Sequence, residues 1–337
     1  MCFLFVLLST FTDKKIGQIY LIKNEAKGSQ DRQILSVDDE VRTIRFSPNG
    51  NLLLTGTVDG RIIGWEYNTR NSRYEEFKFF DKNSPFAPVT EEKEYTAQNA
   101  ILSIAFASHP SNPKNYYLSI CTRKGYYIYQ IDQYGRLIGE IQHEDKAIRY
   151  CMFSHHGKYF TVVTSSGAEV MKYDLKGDNS KRWKFHKKIK LANATEASFS
   201  FNEKLIAVGN KKGFINLYDL ENDKPMLVKS VHKGTITALK FSPDNSKLIT
   251  SSLDHTVKLF DINRYRKDRN QVEPITLLGS SNWIWDISFS KDEKYIYAIS
   301  QDKTIRKWPT DIGELFKNIE KAKKDKLYML PRKRSSN

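Results

Sequence analysis

The sequence predicts an all-β fold made of small antiparallel sheets that are repeated along the chain. Three observations support this prediction. The chain has 337 residues, more than the ~100–150 of a usual single domain. A segment of about 25 residues recurs along it, and within each copy apolar and polar residues alternate, which is the period of a half-buried strand. One small sheet cannot bury both of its faces, so the copies must stack on one another.

Three copies of the repeat are clear, and three weaker copies lie between the first two. The clear copies are VRTIRFSPNGNLLLTGTVDGRIIGW (41–65), ITALKFSPDNSKLITSSLDHTVKLF (236–260) and IWDISFSKDEKYIYAISQDKTIRKW (284–308). Each has a strand ending in Phe-Ser, a polar turn, a β-branched strand, a tight turn containing Asp, and a strand ending in an aromatic residue. The anchoring phenylalanines have a spacing close to the ~40–45 residues of a four-stranded propeller blade; they are Phe46, Phe106, Phe153, Phe199, Phe241 and Phe289.

The two ends of the chain predict incomplete blades. Residues 3–24 have the pattern of the second and third strands of a further blade, RQILSV supplies its fourth strand, and no strand follows Trp308. We therefore expect a seven-bladed β-propeller whose first blade lacks an inner strand and whose last blade lacks an outer one. The apolar run 1–11 has no basic n-region and no cleavage site and is too short to cross a bilayer, so we interpret it as a buried strand.

The sequence divides into a propeller over residues 1–309, a short amphipathic helix over 310–325 and a flexible basic tail over 326–337. The helix is predicted because Asp311 and Glu314 fit a capping box and the following apolar residues form one stripe. Within the propeller, the longer interval between Trp65 and Ile101 predicts an extended loop.

An aromatic residue followed by an acid ends the third strand of several copies. The pairs are Trp65-Glu66, Tyr173-Asp174, Tyr218-Asp219 and Phe260-Asp261, whereas Trp308-Pro309 departs from the pattern. In these features nearly the whole chain resembles the WD40 repeat β-propellers. The resemblance implies a non-catalytic platform that binds a protein or a peptide.

The end of the repeat region carries a second, narrower resemblance. The divergent repeats and the segment KWPTDIGELFKNIEKA are similar to the C-terminal sensor propellers of bacterial signal-transduction proteins, in which an NTPase or a caspase-like effector precedes the propeller. This chain lacks both the rest of that family's tail motif and an effector. The resemblance implies a role in signal transduction.

One Ser/His/Asp set allows two interpretations. His232, Asp254 and either Ser251 or Ser252 have the residue types of a catalytic triad. In WD40 blades the same types form a structural hydrogen-bond network, and the resemblance implies that role here. Phe260 replaces the tryptophan of that network and has no N–H to donate. The corresponding turns of two other copies keep their acid, which is Asp59 in one and Asp302 in the other.

Motifs for catalysis are missing from the sequence. It contains no G-x-S-x-G, no Walker loop, no G-x-G-x-x-G after a strand, no H-E-x-x-H and no C-x-x-C. We expect no enzyme activity, no small-molecule substrate, no cofactor and no metal.

The three cysteines are too few for a disulfide framework or a thiolate cluster, and this fits a cytoplasmic protein.

The candidate binding residues lie next to the predicted inner strands. Trp283 and Trp285 flank the inward Ile284, so at least one of them is expected at the rim of the propeller channel, where tryptophan often dominates binding. Contact with a partner and packing between blades are both open for Trp283. Arg42, Arg149 and Glu196 occupy comparable positions. We expect a scaffold or sensor that presents this rim to a protein or peptide partner.

The net charge of +15 supports an alternative function, in which a basic propeller binds nucleic acid or a ribosome. The dense basic stretches are residues 181–190 and 321–334, while most other lysines and arginines alternate with apolar residues as they do on a solvated sheet face. Salt distinguishes the two functions, because added salt weakens polyanion binding far more than a contact made by apolar anchors. No segment predicts a membrane partner.

Overall fold

The computed structural model of the protein describes residues 2–5, 17–24, 30–37, 40–77, 100–109, 112–174, 182–222, 225–267, 273–290, 292–311 and 313. The chain divides into two compact units, Met1–Ala197 and Ser198–Asn337. Among the described residues the strands form seven antiparallel sheets, which we number 1 to 7 in chain order.

Unit 1 contains the first four sheets, and in each the strands follow one another in chain order. Sheet 1 has three strands: β1 Cys2–Phe5, β2 Gly17–Asn24 and β3 Gln30–Val37. Sheet 2 has four: β4 Val41–Phe46, β5 Leu52–Thr57, β6 Ile62–Asn68 and β7 Arg73–Phe77. Sheet 3 consists of β8 Ile101–Ser108, β9 Asn115–Thr122, β10 Gly125–Asp132 and β11 Leu137–Asp145. Sheet 4 consists of β12 Tyr150–Phe153, β13 Tyr159–Thr164, β14 Gly167–Tyr173 and β15 Trp183–Lys190.

The boundary between the units falls inside the first strand of sheet 5. Sheet 5 consists of β16 Ala194–Phe199, β17 Leu205–Asn210, β18 Phe214–Asp219 and β19 Pro225–Ser230. Sheet 6 consists of β20 Ile236–Phe241, β21 Lys247–Ser252, β22 Val257–Asp261 and, after helix α1 Ile262–Lys267, β23 Ile275–Leu277. Sheet 7 has three strands: β24 Ile284–Phe289, β25 Tyr295–Ser300 and β26 Ile305–Pro309.

The all-β architecture built of propeller blades is confirmed, but the predicted count of seven blades is wrong. Among the described residues, sheets 2 to 7 each begin with a strand of the repeat, and these six are the blades. Sheet 1 was counted from its alternating residues, yet it lacks a first strand ending in Phe-Ser, so it does not supply a blade of the repeated kind.

Two further expectations are corrected. The predicted helix over 310–325 is not supported: Thr310 and Asp311 are not helical, Gly313 alone among the described residues of this range is helical, and residue 312 and residues 314–337 lie outside the described residues. The segment expected as an extended loop after Trp65 contains instead the end of β6 and the whole of β7, which pairs with β6. Residues 78–99 of that segment, like the predicted tail, fall in the part of the chain left undescribed.

Burial within a blade depends on strand position. All six residues of the second strands β5 and β17 are buried, because side chains on both faces of these strands are covered. By contrast, the last strand β15 buries only Trp183 and Ile189. In unit 1 one apolar cluster joins sheets 2 and 3 and another joins sheets 3 and 4, and in unit 2 equivalent clusters join sheets 5, 6 and 7. The stacking predicted from the repeat is therefore how these cores form.

The Phe-Ser motif has a local function in closing the first hairpin of a blade. The Ser47 hydroxyl accepts a hydrogen bond from the Leu52 N–H at 3.0 Å. The same bond, from the N–H five residues later, recurs in four other blades at 2.8–2.9 Å; its acceptors are Ser154, Ser200, Ser242 and Ser290. The serine hydroxyl thus adds to the backbone hydrogen bonds that close the same turn, such as that from the Ser47 N–H to the Leu52 carbonyl at 2.9 Å.

Candidate protein-binding surface and hydrogen-bond network

A β-bulge lies near the start of the first strand in four blades. The strand register shifts between Val41 and Thr43, Ile101 and Ser103, Ile236 and Ala238, and Ile284 and Asp286. One residue in each pair of strands is therefore left without a cross-strand partner; these are Arg42, Leu102, Thr237 and Trp285. A bulge redirects a side chain and often lies next to a functional site. These four bulges were not predicted from the sequence, because the extra residue of a bulge interrupts the alternation with a period of two.

The two tryptophans at the start of β24 are both exposed. Trp283 is 44% and Trp285 is 46% exposed, while Ile284 between them is fully buried. Their rings meet edge to face, with centroids 5.7 Å apart and planes at 87°. Both rings are therefore accessible beside a buried isoleucine, and the expectation that at least one of them lies at the channel rim stays a prediction.

Hydrogen bonds hold this indole pair in place. The Trp285 Nε1 donates to Oε1 of Gln301 at 2.7 Å, and the Gln301 N–H donates to the Trp283 carbonyl at 2.8 Å. The Ser300 hydroxyl donates to the same carbonyl at 3.0 Å. Two further apolar side chains in this part of the chain are exposed, Leu278 just before the sheet and Ile305 in β26. The arrangement offers a rigid aromatic surface of the kind that anchors protein contacts.

The three charged residues expected at the rim differ in environment. Arg42 is exposed at its bulge. Arg149 is half-buried and donates from Nη1 to the Ala194 carbonyl at 2.9 Å. Glu196 is also half-buried and lies beside Tyr150.

Glu196 belongs to a buried polar cluster that the sequence did not indicate. Burial raises the pKa of the Tyr150 hydroxyl, the Glu196 carboxylate adds to this shift, and Arg45 opposes it. Arg45 and Glu196 both hydrogen-bond Tyr150. Both Tyr150 and Arg45 lie on the first strand of a blade. The alternating pattern of such a strand separates core positions from solvent positions, and it does not indicate which residues form a polar cluster.

A hydrogen-bond network is present in sheet 6. The buried His232 has Nδ1 2.9 Å from Oδ2 of Asp254 and Nε2 2.7 Å from Oγ1 of Thr250. Burial disfavours the Asp254 carboxylate, but hydrogen bonds from His232, Thr256 and the Lys233 backbone outweigh this cost and lower the pKa of Asp254. The hydroxyls beside the histidine are therefore those of Thr250 and, at 3.1 Å from Nδ1, Thr256, rather than those of Ser251 or Ser252.

The two serines named from the sequence bind elsewhere. The Ser252 hydroxyl accepts from the Asp254 N–H at 3.1 Å. The Ser251 hydroxyl lies 2.9 Å from Oγ1 of Thr237. Thr250 was missed because Thr250, Ser251 and Ser252 are consecutive, and only the pairing of β21 with β20 decides which of them faces the histidine.

Asp59 and Asp302 occupy the corresponding turns of sheets 2 and 7. Asp59 is hydrogen-bonded to the Thr57 hydroxyl and accepts from Arg61 Nε at 2.5 Å. Asp302 accepts from the Ser281 N–H at 2.9 Å, as Asp254 does from Lys233. Hydrogen bonds from Thr304 hold the pKa of Asp302 below its ordinary value.

Sheet 7 keeps the turn acid and its Ser281 and Thr304 donors but lacks the histidine and the second-strand threonine of the network. By the strand register, Ala298 stands at the position of Thr250 and Trp308 at that of Phe260. Counting back from the first strand, Ser280 stands at the position of His232. The Ser280 hydroxyl is buried and has no hydrogen-bond partner, and the Trp308 indole donates to the Leu278 carbonyl at 3.3 Å instead.

The described residues contain neither a membrane-spanning helix nor a group of metal ligands. None of their helices is long and apolar enough to cross a membrane. Nor do three His, Cys, Asp or Glu side chains within them come together as metal ligands would.

Two family models match the sequence. The model for the WD domain, G-beta repeat, matches residues 29–66 and 272–309, so each match runs from the last strand of one sheet to the third strand of the next. The model for the Nucleolar protein 10-like, N-terminal domain, matches residues 164–278.

Curated relatives match parts of the chain. "WD repeat and SOCS box-containing protein 1" from Homo sapiens is 28% identical over 114 residues, which is 34% of this chain and 26% of that protein. "Protein tipD" from Dictyostelium discoideum is 31% identical over 119 residues, 35% of this chain and 19% of that protein. "Eukaryotic translation initiation factor 3 subunit I" from Kluyveromyces lactis is 38% identical over 69 residues, 20% of each chain. The chain therefore matches about a quarter or less of the length of these relatives.

A solved structure matches most of the fold. The crystal structure of Sqt1 from Chaetomium thermophilum superposes with a TM-score of 0.62 and covers 89% of this chain and 77% of its own. The two sequences are 16% identical, so the likeness concerns the fold alone.

Proposed function

We propose that this chain, which belongs to the WD40 repeat β-propeller family, is a non-catalytic scaffold that binds a protein or peptide partner through the surface around Trp283 and Trp285. Propellers of this family generally act as interaction platforms, and fold alone does not name the partner. We further propose that this role is played in the cytoplasm. A signalling or sensor role, as in the bacterial propellers that the sequence resembles, is the narrower form of the proposal.

The observation that carries the proposal is the exposure of two indole rings in a fixed edge-to-face arrangement. A tryptophan that served only to pack blades together would be buried, as Trp183 is in sheet 4. Large aromatic anchors with few rotamers lose little entropy on binding, and they dominate the affinity of many protein interfaces.

The names of the relatives are consistent with binding other proteins. The Kluyveromyces lactis relative is a subunit of a translation initiation factor, and the human relative carries a SOCS box beside its WD repeats. Both are therefore parts of larger assemblies or larger proteins. We carry over to this chain only the general role of a protein-binding module.

The test compares Trp283→Ala and Trp285→Ala with Phe214→Ala as a control. Phe214 is 38% exposed in sheet 5 and lies outside the proposed surface. Partners cross-linked to the wild-type protein in cells are identified, and their affinities for all variants are measured by calorimetry with purified components.

We expect each tryptophan variant to weaken binding at least ~30-fold, which corresponds to the ~2 kcal/mol of a binding hot spot. The Phe214→Ala variant should bind like the wild type, and raising the salt concentration should change these affinities little. Equal binding by all three variants would exclude this surface as the binding site. Unfolding of Trp283→Ala would show that this ring packs blades together.

A further inference from the structure

The last strand of sheet 4, β15, carries the densest positive charge in the described residues of unit 1. Strands β14 and β15 with their flanking residues, 167–174 and 182–190, hold six lysines and arginines against two carboxylates. The lysines of β15 are exposed or half-buried; they are Lys184, Lys187, Lys188 and Lys190. This strand contains no acidic residue, so a polyanion meets a continuous cationic edge.

The two carboxylates neutralise only part of this positive charge, since six cations face them. Asp174 lies 2.7 Å from Nζ of Lys184, and Glu169 lies 3.2 Å from Nζ of Lys188 and also binds Lys146. The Lys184–Asp174 pair is the more exposed of the two, so it contributes little energy and exchanges readily for another anion, whereas Glu169 is mostly buried. Hydrogen bonds from Lys146 and Lys188 outweigh the cost of burial and lower the pKa of Glu169.

An exposed aromatic ring lies within this positive charge. Phe185 is 67% exposed although it follows the buried Trp183 by two positions. The register of β14 and β15 shifts at this point, with Met171 opposite Phe185 and Val170 opposite Lys187, so that His186 is the extra residue of a bulge. The bulge lies at the edge of the sheet, since β15 has no second partner strand among the described residues.

Lysines and a bulge on an edge strand also protect a sheet from pairing with another strand. That function explains the charge and the irregular backbone, and it argues against an added peptide strand. It does not explain an exposed phenylalanine between lysines, because an apolar ring increases the tendency of an edge to aggregate. Cations that follow a strand together with an exposed aromatic face are the elements that bind single-stranded nucleic acid, where phosphates meet the cations and a base stacks on the ring.

We propose that the edge of sheet 4 along Lys184–Lys190 binds single-stranded nucleic acid, with a base stacked on Phe185 and phosphates bound by the lysines of β15. This site is separate in the sequence from the tryptophan surface and does not depend on it. The site follows from the register of one strand pair, so it is independent of the identity of any protein partner.

The experiment titrates the full-length protein into a fluorescein-labelled ten-nucleotide oligouridylate and follows fluorescence anisotropy at several salt concentrations. Phe185→Ala removes the ring without changing charge, and its matched control is Phe214→Ala. The double variant Lys187→Gln/Lys188→Gln removes two cations, and its matched control is Lys211→Gln/Lys212→Gln, a pair of exposed lysines in the turn before β18. Thermal melting of each variant verifies that it is folded.

We expect Phe185→Ala to weaken oligouridylate binding about tenfold without changing the slope of log K against log salt. The Lys187→Gln/Lys188→Gln variant should weaken binding and reduce that slope by ~1.4, since each phosphate contact to a single strand contributes ~0.7. Both controls should bind like the wild type. With oligothymidylate as a second probe, tighter binding of one oligonucleotide assigns RNA or DNA as the ligand, and equal binding assigns both.

Three results would overturn the proposal. The first is wild-type affinity of Phe185→Ala, which would leave the ring without a role in binding. The second is an equal loss in the control variants, which would indicate diffuse attraction to the whole basic chain. The third is displacement of the oligonucleotide by poly-L-glutamate at equal charge concentration, which would assign the edge to acidic proteins.

Discussion

The Nδ1 atom of His232 lies 2.9 Å from the carboxylate of Asp254, and the two residues are joined across 22 positions of the chain. The opposite nitrogen of the ring lies 2.7 Å from Thr250 in the second strand of the same sheet. One buried ring therefore ties together the loop that enters sheet 6, its second strand and its tight turn. The arrangement of these groups has measurable consequences for stability.

Substitution of His232 by alanine should lower the free energy of unfolding by about 2–3 kcal/mol, because it leaves the buried Thr250 hydroxyl without its histidine partner and removes one hydrogen bond from the Asp254 carboxylate. Urea unfolding followed by circular dichroism measures this loss. The matched control is Ser280→Ala, at the same position of sheet 7, whose hydroxyl makes no hydrogen bond. The control should change stability by less than ~0.5 kcal/mol. Equal losses in the two variants would contradict a network centred on His232.

Asp254 should make stability depend on acid pH. Its pKa in the folded protein is lower than the ordinary value of ~3.9, so its ionised form stabilises the fold at neutral pH. This stabilisation is lost as the pH falls below about 4 towards the folded pKa. The stability difference between the wild type and Asp254→Asn should therefore shrink over this range when measured by urea unfolding at each pH. A difference that stays constant from neutral pH to pH ~3 would exclude the carboxylate as its source.

Gly213 should be less replaceable than Gly50, although both have positive φ angles, 78° and 74°. A Cβ at Gly213 would lie 2.0 Å from the His232 carbonyl oxygen, whereas one at Gly50 would meet nothing within 4 Å. We expect Gly50→Ala to cost the ~1–2 kcal/mol of a left-handed alanine, and Gly213→Ala to cost clearly more because a backbone carbonyl must move. Thermal unfolding of the two variants measures this difference. Equal losses of stability in the two variants would indicate that the backbone at His232 moves aside at little cost in free energy.

Cys121 and Cys151 should resist alkylation in the folded protein. Both are fully buried, and burial raises the pKa of the Cys121 thiol, so little of the reactive thiolate is present. A Cys2→Ser variant treated with iodoacetamide at pH ~8 should show no modified cysteine by mass spectrometry, and in urea it should show two. Rapid modification without denaturant would mean that the sheets around these residues open on the timescale of the labelling.

The repeat made most of the fold predictable, because the blade pattern is set by local alternation and by turn residues. The Phe-Ser strand and the turn acid Asp302 are found where the copies place them. The blade count was wrong because the alternating strands of sheet 1 were counted as a blade although the inner strand of the repeat was expected to be missing from them. The bulge that frees Trp285 was not predicted, since an extra residue is visible only in the pairing of two strands.

The candidate site was predictable only in part. Exposed tryptophans beside a buried isoleucine follow from an alternating strand, so the exposure of Trp283 and Trp285 was predictable, and their role as partner contacts stays a prediction. Thr250 was not predicted as the partner of His232, because this contact depends on the register between β20 and β21. The contact between Glu196 and Tyr150 joins two different sheets, and no local pattern records such a contact.

At the start of the first strands, the bulges separate positions that must keep the strands paired from positions that are free to change. The residue that a bulge leaves unpaired takes no part in the ladder of hydrogen bonds, so its identity can change while the neighbouring pairs stay in place. Arginine at 42, leucine at 102 and tryptophan at 285 already show this variety among repeats of one chain. Related proteins can therefore acquire new ligands by changing these positions, without any new way of folding.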